Sequence, residues 1–189
     1  STMGAFWQVL AARSDADGAL VGFAVRAVRQ RYIHGIAQDI GYLGQLRVDP
    51  RFRGHRVTAQ AYAALRTLHA DGRAPYYLAT IVEGNRPALR LLVEQPDASA
   101  PHFAPRDRLV TMAFPARWYA SAPPSGVHLH WGAAEWIDAA AAFLARYAPQ
   151  RQFAPAYSTA DLRGSPLMRG FSPADLCLAT RNGAIVGLI

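Results

Sequence analysis

The feature that most constrains this 189-residue chain is a strand, a basic turn and a helix in direct succession between Gly41 and Leu68. Spaced apolar residues indicate the strand, and Pro50 ends it because proline has no N–H to donate to a sheet. From Gly54 onward, apolar residues recur at the three- and four-residue steps of one helix face. The strand residues are Leu43, Leu46 and Val48, and the helix residues are Val57, Ala61, Ala64, Leu65 and Leu68. The segment therefore predicts an α/β fold in which a turn joins a sheet to a helix N-terminus.

The turn between this strand and this helix carries Arg51, Arg53 and Arg56. The first N–H groups of a helix have no partner within the helix, and the helix dipole favours negative charge at that end. The arginines add mobile positive charge at the same place. The turn is therefore a candidate phosphate site, and the alternative is an ordinary strand–turn–helix with solvated arginines.

The turn resembles the coenzyme-A-binding loop of the GNAT acyltransferase superfamily, which reads Arg or Gln, two residues, Gly, one residue, then Gly or Ala. Here it reads Arg51-Phe52-Arg53-Gly54-His55-Arg56. The resemblance implies that the loop amides hold the pyrophosphate of acyl-CoA and that the preceding strand pairs with pantetheine. The residues implied in coenzyme binding are Leu46, Arg47, Val48, Arg51, Arg53, Gly54, His55, Arg56, Val57, Thr58 and, from the next segment, Asn85.

Arg56 departs from the family pattern, because it stands where a small residue is usual. Its side chain could crowd the pyrophosphate or bind it, and the sequence leaves both possibilities open.

The segment from Pro75 to Leu92 has the composition of a β-branched and aromatic strand that ends at Glu83-Gly84-Asn85 and is followed by a helix. It resembles the next strand and helix of the superfamily, in which an Asn followed three residues later by Ala lies beside the coenzyme, here Asn85 and Ala88. Asn85 is also a good helix N-cap, and Pro87 is tolerated in a first turn. The family often has a Tyr general acid seven residues after this Asn, and this chain has Leu92.

An internal repeat is visible in two predicted β-hairpins. The segment Val9 to Phe23 recurs at Leu176 to Leu188, and the pairs Asp17-Gly18 and Asn182-Gly183 predict tight turns with both residues at positive φ. The alternative is a coincidence between two similar hairpins. Residues 127–131 alternate like a strand, and residues 133–147 form an alanine-rich amphipathic pattern, so this region resembles the opening of another GNAT unit.

We therefore expect a GNAT-like acyl-CoA-binding unit without its opening elements over residues 1–118, a linker over 119–126 and an incomplete second unit over 127–189. Two prolines and small polar residues within Ala116–Ser125 favour an exposed linker. The proline-rich stretch Gln95–Arg108 is predicted to be a loop that shapes the acceptor site, with His102 as a candidate substrate contact. The chain could be a piece of a tandem protein, a chain numbered continuously across missing segments, or a permuted or swapped fold.

Composition excludes several function classes. All 20 basic residues are Arg, so a Walker lysine and a lysine Schiff base are impossible. The net charge of +7 is scattered, which argues against nucleic-acid binding, and no apolar run approaches the roughly 18 residues of a membrane span. The single cysteine, Cys177, is predicted to be a small core residue. His128 and His130 could supply two metal ligands but have no third nearby, so we expect no metal.

The sequence thus predicts a cytoplasmic acetyltransferase with a GNAT-like mixed, mostly antiparallel sheet flanked by helices. The resemblance implies transfer of an acetyl or other acyl group from acetyl-CoA to a small-molecule or peptide amine by direct attack in a ternary complex. Glu83 is the candidate catalytic base, and compensation of a helix dipole is its alternative role. The protein is expected to be a monomer or homodimer. The competing interpretation is a non-catalytic acyl-CoA-binding or structural domain of degenerate GNAT type.

Overall fold

The chain contains two sheets and divides into two compact units. The structure, a computed structural model, describes residues 6–54, 56–94, 96, 98, 100–110, 122–132, 134–165 and 168–189. Within these, the first unit consists of residues 6–31 and 38–106, and the second consists of residues 32–37 and 107–189.

The first unit contains a four-stranded sheet in the order β1-β2-β3-β4. Strands β1 (Phe6–Arg13), β2 (Leu20–Ile33) and β3 (Ile36–Val48) follow one another, and β4 (Tyr77–Leu78) joins β3 in parallel. Helix α1 (Val57–His69) follows β3, and helix α2 (Arg86–Leu89) continues into a π-helical turn at Arg90–Glu94. This mixed, largely antiparallel sheet with helices confirms the predicted fold class.

The second unit contains a three-stranded antiparallel sheet in the order β5-β6-β7. Strand β5 (Val127–Trp131) precedes the helices α3 (Ile137–Tyr147) and α4 (Thr159–Leu162), and β6 (Cys177–Arg181) and β7 (Ala184–Leu188) form a hairpin. Its core lies where α3 packs on the hairpin, and the buried residues are Ile137, Ala140, Ala141, Leu162, Leu176 and Leu178. The strand predicted at residues 127–131 and the burial of Cys177 are confirmed, whereas the helix predicted over 133–147 begins at Ile137, after a 3₁₀ turn at Ala134–Trp136.

The turn chemistry differs between the two predicted hairpins. Asn182 and Gly183 have φ of 50° and 75°, which confirms a tight turn with both residues in the left-handed region. The β1–β2 hairpin also forms, but with a wider loop. This loop is closed by a hydrogen bond from the Ser14 amide to the Ala19 carbonyl at 2.9 Å. Gly18 has a φ of 70°, whereas Asp17 instead accepts from the Ala19 amide through its side chain.

Two element boundaries predicted from the sequence are wrong. The helix predicted from Gly54 begins at Val57, because the left-handed backbone of Gly54 and Arg56 cannot be part of an α-helix. The strand predicted to reach Glu83 ends at Leu78, where pairing with β3 stops. A strand needs a neighbouring strand to pair its backbone N–H and C=O groups. The apolar composition of a segment does not by itself provide that neighbour.

The remaining predictions concern connecting segments. The described part of Gln95–Arg108 forms neither helix nor strand, as predicted, and its Phe103 packs against Tyr62 with ring centroids 6.3 Å apart. Leu109 and Val110, which follow this stretch, are exposed and belong to neither a helix nor a strand, and residues 111–114 lie outside the described residues. Most of the predicted linker, 116–121, also lies outside them.

A buried arginine joins the elements of the first unit. Arg26 on β2 is fully buried, and its guanidinium donates to both carboxylate oxygens of Asp71 at 2.7 Å. It also donates to the Tyr77 hydroxyl and to the Gln8 side-chain oxygen, each at 2.9 Å. These bonds connect β1, β2, β4 and the turn after α1. Because each guanidinium nitrogen donates to an acceptor and the charge is paired with a carboxylate, the buried arginine is tolerated where a lone charge would not be.

We predict that Asp71→Asn lowers the melting temperature by about 10 °C, because a buried cation that loses its carboxylate costs several kcal/mol. The control Arg73→Ala removes an exposed partner of the same carboxylate, 3.5 Å away, and should cost about 3 °C or less. Circular-dichroism melts measure both variants. Equal losses of melting temperature would contradict the role of Asp71 as the partner that compensates the buried charge of Arg26.

The stability that the Arg26–Asp71 pair contributes depends on pH, in the direction set by the pKa shift of Asp71. The Arg26 hydrogen bonds hold the pKa of Asp71 well below its usual range. The contribution is therefore present above the unfolded pKa of about 3.9 and is lost as the pH falls through the folded value. The stability difference between the native protein and Asp71→Asn should shrink as the pH is lowered from 6 toward 3.

Candidate functional site

The end of β3 is an open strand edge. Strand β4 pairs with β3 at Gly41–Tyr77 and Tyr42–Leu78, and these are the β3–β4 pairs among the described residues. Beyond them β3 runs on to Val48, and Gln45 within it has a left-handed backbone with a φ of 55°. An unpaired edge presents N–H and C=O groups in a row, so an extended ligand can pair with it.

Glycine 22 fixes where this strand end lies. A Cβ on Gly22 would lie 2.9 Å from the Arg47 carbonyl oxygen and 3.2 Å from a methyl group of Val57. The Asp49 amide donates to the Val21 carbonyl at 2.8 Å in the same region. The absence of a side chain at Gly22 therefore lets β2, the end of β3 and the first turn of α1 meet closely.

An acidic residue organises the turn that follows. The Asp49 side chain accepts from the Arg51 amide at 2.9 Å and caps a short 3₁₀ turn, Pro50–Phe52. It also pairs with the Arg51 guanidinium at 2.8 Å, which lowers the pKa of Asp49. Arg51 nevertheless remains largely exposed, so it can turn toward an anion, although part of its charge is already compensated.

The last residues of the turn adopt left-handed backbone conformations. Gly54 has a φ of 84°, and Arg56, the N-cap of α1, has a φ of 59° with no side-chain bond to the helix. A glycine at position 56 would adopt this conformation at lower cost, since the left-handed region costs a residue with a Cβ roughly 1–2 kcal/mol. The Arg56 side chain is exposed. The candidate residue His55 lies outside the described residues.

The second predicted segment forms its helix as expected. Asn85 is the N-cap of α2, and its side-chain oxygen accepts from the Ala88 amide at 3.3 Å. Glu83 lies in an exposed turn five positions after the end of β4, rather than at the strand end itself. The prediction that Glu83 closes a strand is therefore wrong in its secondary structure, and its chemical role remains a prediction.

Leu92 lies in the core of the first unit. It is buried with Tyr62 and Leu65 of α1, and the partly buried Tyr77 and Leu43 pack against them. Burial raises the pKa of Tyr62 to about 12, so its phenol keeps its proton at neutral pH. Leu92 thus acts as a packing residue at the position where the superfamily often has its acid.

A cleft of about 230 Å³ lies between α1 and the strands β1, β2 and the end of β3. Arg47 and Val57 lie in its wall, and Gln60 contributes a polar side chain. The small residues Ala61 and Ala64 on α1 leave its space unfilled. The candidate residues of β3 and α1 therefore lie around one depression, since Leu46, Val48 and Val57 all line it.

Sequence reasoning missed two residues on which this geometry depends. Arg26 interrupts the apolar run Val21–Val28, and a charge inside such a run is a signal for a buried partner. Gly22 lies in the same run, where a glycine signals a close backbone approach. Their partners, Asp71 and Arg47, are far away in the sequence and carry no local signal.

Residues 4–95 match the family described as "Acetyltransferase (GNAT) family". This segment belongs to the GNAT family. The matched range includes β3, the arginine-rich turn, α1 and α2, so the candidate coenzyme-binding residues and Glu83 lie within the GNAT segment, whereas His102 lies beyond it. The family is described as one of acetyltransferases, which confirms the predicted enzyme class.

Several solved structures resemble the chain. An acetyltransferase of Trypanosoma brucei is 16% identical, with a TM-score of 0.43 over 57% of this chain and 69% of its own. Aminoglycoside 6'-N-acetyltransferase AAC(6')-IG of Acinetobacter haemolyticus is 16% identical, with a TM-score of 0.44 over 59% and 72%. Aminoglycoside N-acetyltransferase AAC(6')-Iy in complex with CoA is 22% identical, with a TM-score of 0.45 over 57% and 75%.

Among curated protein sequences, none matches this chain significantly. In the part of the chain that the structure describes, no helix has the length and apolar character required to cross a membrane. The same residues contain no group of three or more His, Cys, Asp or Glu side chains placed to hold a metal ion.

We predict that Gly22→Ala destabilises the protein by about 1–3 kcal/mol, because the added methyl group overpacks the contact with Arg47 and Val57. Gly187→Ala is the matched control, since Gly187 occupies the same position in the β6–β7 hairpin and the nearest atom to its added methyl group would be 3.9 Å away. Urea denaturation measures both. Equal destabilisation of the two variants would refute the close approach at Gly22.

Proposed function

We propose that the GNAT segment binds acyl-CoA along the open end of β3, with the pyrophosphate on the turn from Arg51 to Thr58. The observation that carries the proposal is the direct continuity of an unpaired strand edge with an arginine-rich turn that ends at a helix N-terminus. Strand-edge groups of Leu46, Arg47 and Val48 would pair with the amides of pantetheine. Bound acyl-CoA would supply an activated thioester.

The turn has the charge required for a pyrophosphate. Arg51 and Arg56 are exposed beside the start of α1, whose dipole adds positive potential. Arg56 already occupies the left-handed conformation that the turn requires, so its backbone does not block the site, and we assign its side chain to phosphate binding rather than to obstruction. Arg53, Gly54, His55, Val57 and Asn85 complete the proposed binding set.

The chemistry is acyl transfer to an amine by direct attack. The amine must lose a proton, and Glu83 is exposed in the turn before α2, where a carboxylate can accept that proton directly or through water. The acceptor is a small-molecule or peptide amine. We further propose a cytoplasmic monomer or homodimer.

A second function is favoured by the burial of Leu92. Its side chain has no ionisable group and is held in the core, so the position cannot supply a proton to the leaving thiolate. A unit that binds acyl-CoA without turnover, or serves as an interaction domain, would need no acid at this place.

We also propose the tandem organisation, with a GNAT-like unit over 1–118, a linker over 119–126 and the opening of a second unit over 127–189. The support is the succession of strand, helices and hairpin in β5, α3, α4, β6 and β7. The β6–β7 hairpin shares both its sequence pattern and its register shift with β1–β2.

We predict saturable binding of acetyl-CoA and desulfo-CoA in calorimetric titrations, and its loss in Gly54→Trp, which places a bulky side chain in the turn. Gly72→Trp is the matched control, because Gly72 also has a positive φ and open surroundings but follows the other end of α1. Arg56→Ala should weaken binding about tenfold and reduce its salt dependence, since a charge-assisted hydrogen bond contributes roughly 1.5–3 kcal/mol. No binding by the folded protein, or tighter binding by Arg56→Ala, would contradict this assignment.

We predict that Glu83→Gln lowers kcat about 100-fold or more, the usual contribution of a general base, while acetyl-CoA affinity stays unchanged. Acetyl transfer to a panel of amines, followed by thiol release, measures kcat, and calorimetric titration measures the affinity for acetyl-CoA. Tight coenzyme binding without turnover of any amine would favour the non-catalytic function instead.

A further inference from the structure

Two hydroxyl groups meet at the point where β3 and β4 separate. The phenol oxygen of Tyr42 lies 2.8 Å from the hydroxyl oxygen of Thr80, so the two side chains share a hydrogen bond. Tyr42 belongs to the last β3–β4 pair among the described residues, opposite Leu78, and Thr80 follows that pair in a segment that is neither helix nor strand. The bond therefore spans the gap at which the open edge of β3 begins.

The glycine at position 44 allows the Tyr42 ring to lie along β3. A Cβ on Gly44 would lie 2.7 Å from Cε1 of Tyr42, which is closer than a Cβ atom can approach a ring carbon. The ring therefore covers the backbone at Gly44, and its hydroxyl is directed toward the open end of β3 rather than back over the paired residues.

The other face of this part of the sheet is filled by packed side chains. Leu43, next in sequence to Tyr42, packs against the buried cluster formed by α1 and Leu92. Ile81, next to Thr80, packs against the same cluster. Neighbouring residues of a strand point to opposite faces. Tyr42 and the Thr80 hydroxyl bonded to it therefore lie on the face away from α1.

If acyl-CoA binds as proposed above, on which this inference rests, its thioester lies near the hydroxyl pair. The pyrophosphate is assigned to the turn after β3 and the pantetheine arm to the strand edge from Leu46 to Val48, so the far end of the arm lies toward Tyr42. The core fills the α1 face at this point. An amine therefore reaches the thioester from the face that carries Tyr42 and Thr80.

A bonded pair of hydroxyl groups has a defined capacity for further hydrogen bonds. One O–H is used between the two oxygens, and each oxygen keeps a lone pair that can accept. A neutral primary amine has two N–H groups and one lone pair, so it can donate one N–H to each oxygen while its lone pair faces the thioester carbon. A neutral secondary amine has one N–H and leaves one oxygen without a donor.

We propose that the Tyr42–Thr80 pair binds and orients the acceptor amine and selects a primary amine over a secondary one. Glu83, the proposed base, follows Thr80 by three residues in the same segment. In the reaction the amine nitrogen bonds to the acyl carbon, the carbon–sulfur bond breaks to release the thiolate, and the proton from nitrogen passes to Glu83. The hydroxyl pair itself neither gains nor loses a proton.

The first test compares benzylamine with N-methylbenzylamine as acceptors at saturating acetyl-CoA. The native protein should prefer benzylamine in kcat/KM. Tyr42→Phe keeps the ring over Gly44 and removes the hydroxyl, so kcat/KM for benzylamine should fall about tenfold, the effect of one lost hydrogen bond, and most of the preference should disappear. Thr80→Val should act in the same way, whereas Thr80→Ser should retain the preference.

A binding measurement separates orientation of the amine from bracing of the two strands. NMR titration of the desulfo-CoA complex with benzylamine should give a Kd that Tyr42→Phe raises about tenfold, while the affinity for acetyl-CoA and the melting temperature change little. Tyr147→Phe is the matched control, because Tyr147 is also an exposed tyrosine but lies on α3, in the other unit. It should leave the amine preference and the Kd unchanged.

The outcomes distinguish this site from the proposed coenzyme site. Loss of acetyl-CoA affinity in Tyr42→Phe and Thr80→Val without a change in amine preference overturns the proposal, since the pair then only braces the strands. Equal kcat/KM for the two amines in the native protein, or a preference that both variants retain, also overturns it. Binding of acetyl-CoA without a benzylamine complex or turnover refutes the amine site alone, whereas a native protein that binds no acetyl-CoA refutes the proposed function itself.

Discussion

The first unit depends on the burial of the Arg26 guanidinium against Asp71. A charge with no exposed surface must be fully hydrogen-bonded, and here the bonds come from three other parts of the chain. Satisfying them requires β1, β4 and the turn after α1 to lie at defined positions around β2. One electrostatic requirement thereby fixes the C-terminal end of α1 and the place where β4 joins the sheet.

The position of the candidate site depends on the N-terminal end of α1. Close packing at Gly22 holds the start of α1 against β2 and the end of β3, and the parallel pairing of β4 stops at Tyr42. With α1 held at both ends, the arginine turn and the open edge of β3 lie next to each other. The site is thus a consequence of where sheet pairing ends, combined with a turn whose backbone is left-handed at Gly54 and Arg56.

The two hairpins show how similar sequence patterns acquire different surroundings. Their valine–glycine register shifts and alternating apolar residues are alike although their turns differ, yet one is covered by α3 and the other leaves Val9 and Leu20 about half exposed. Local pattern fixes the register and the faces of a hairpin. It does not fix which element packs on each face, because that depends on distant segments.

The sequence by itself determined the strand–turn–helix from Gly41 to Leu68, the Asn85 cap and the Asn182-Gly183 turn, because each rests on neighbouring residues and local backbone preferences. Only the tertiary structure decided that β4 ends at Leu78, that Glu83 lies beyond a strand, and that α1 begins at Val57. It also decided that Leu92 is a core residue and that Arg26 pairs with Asp71. These outcomes depend on pairing and packing between residues far apart in the chain, and composition or periodicity over a short window does not record them.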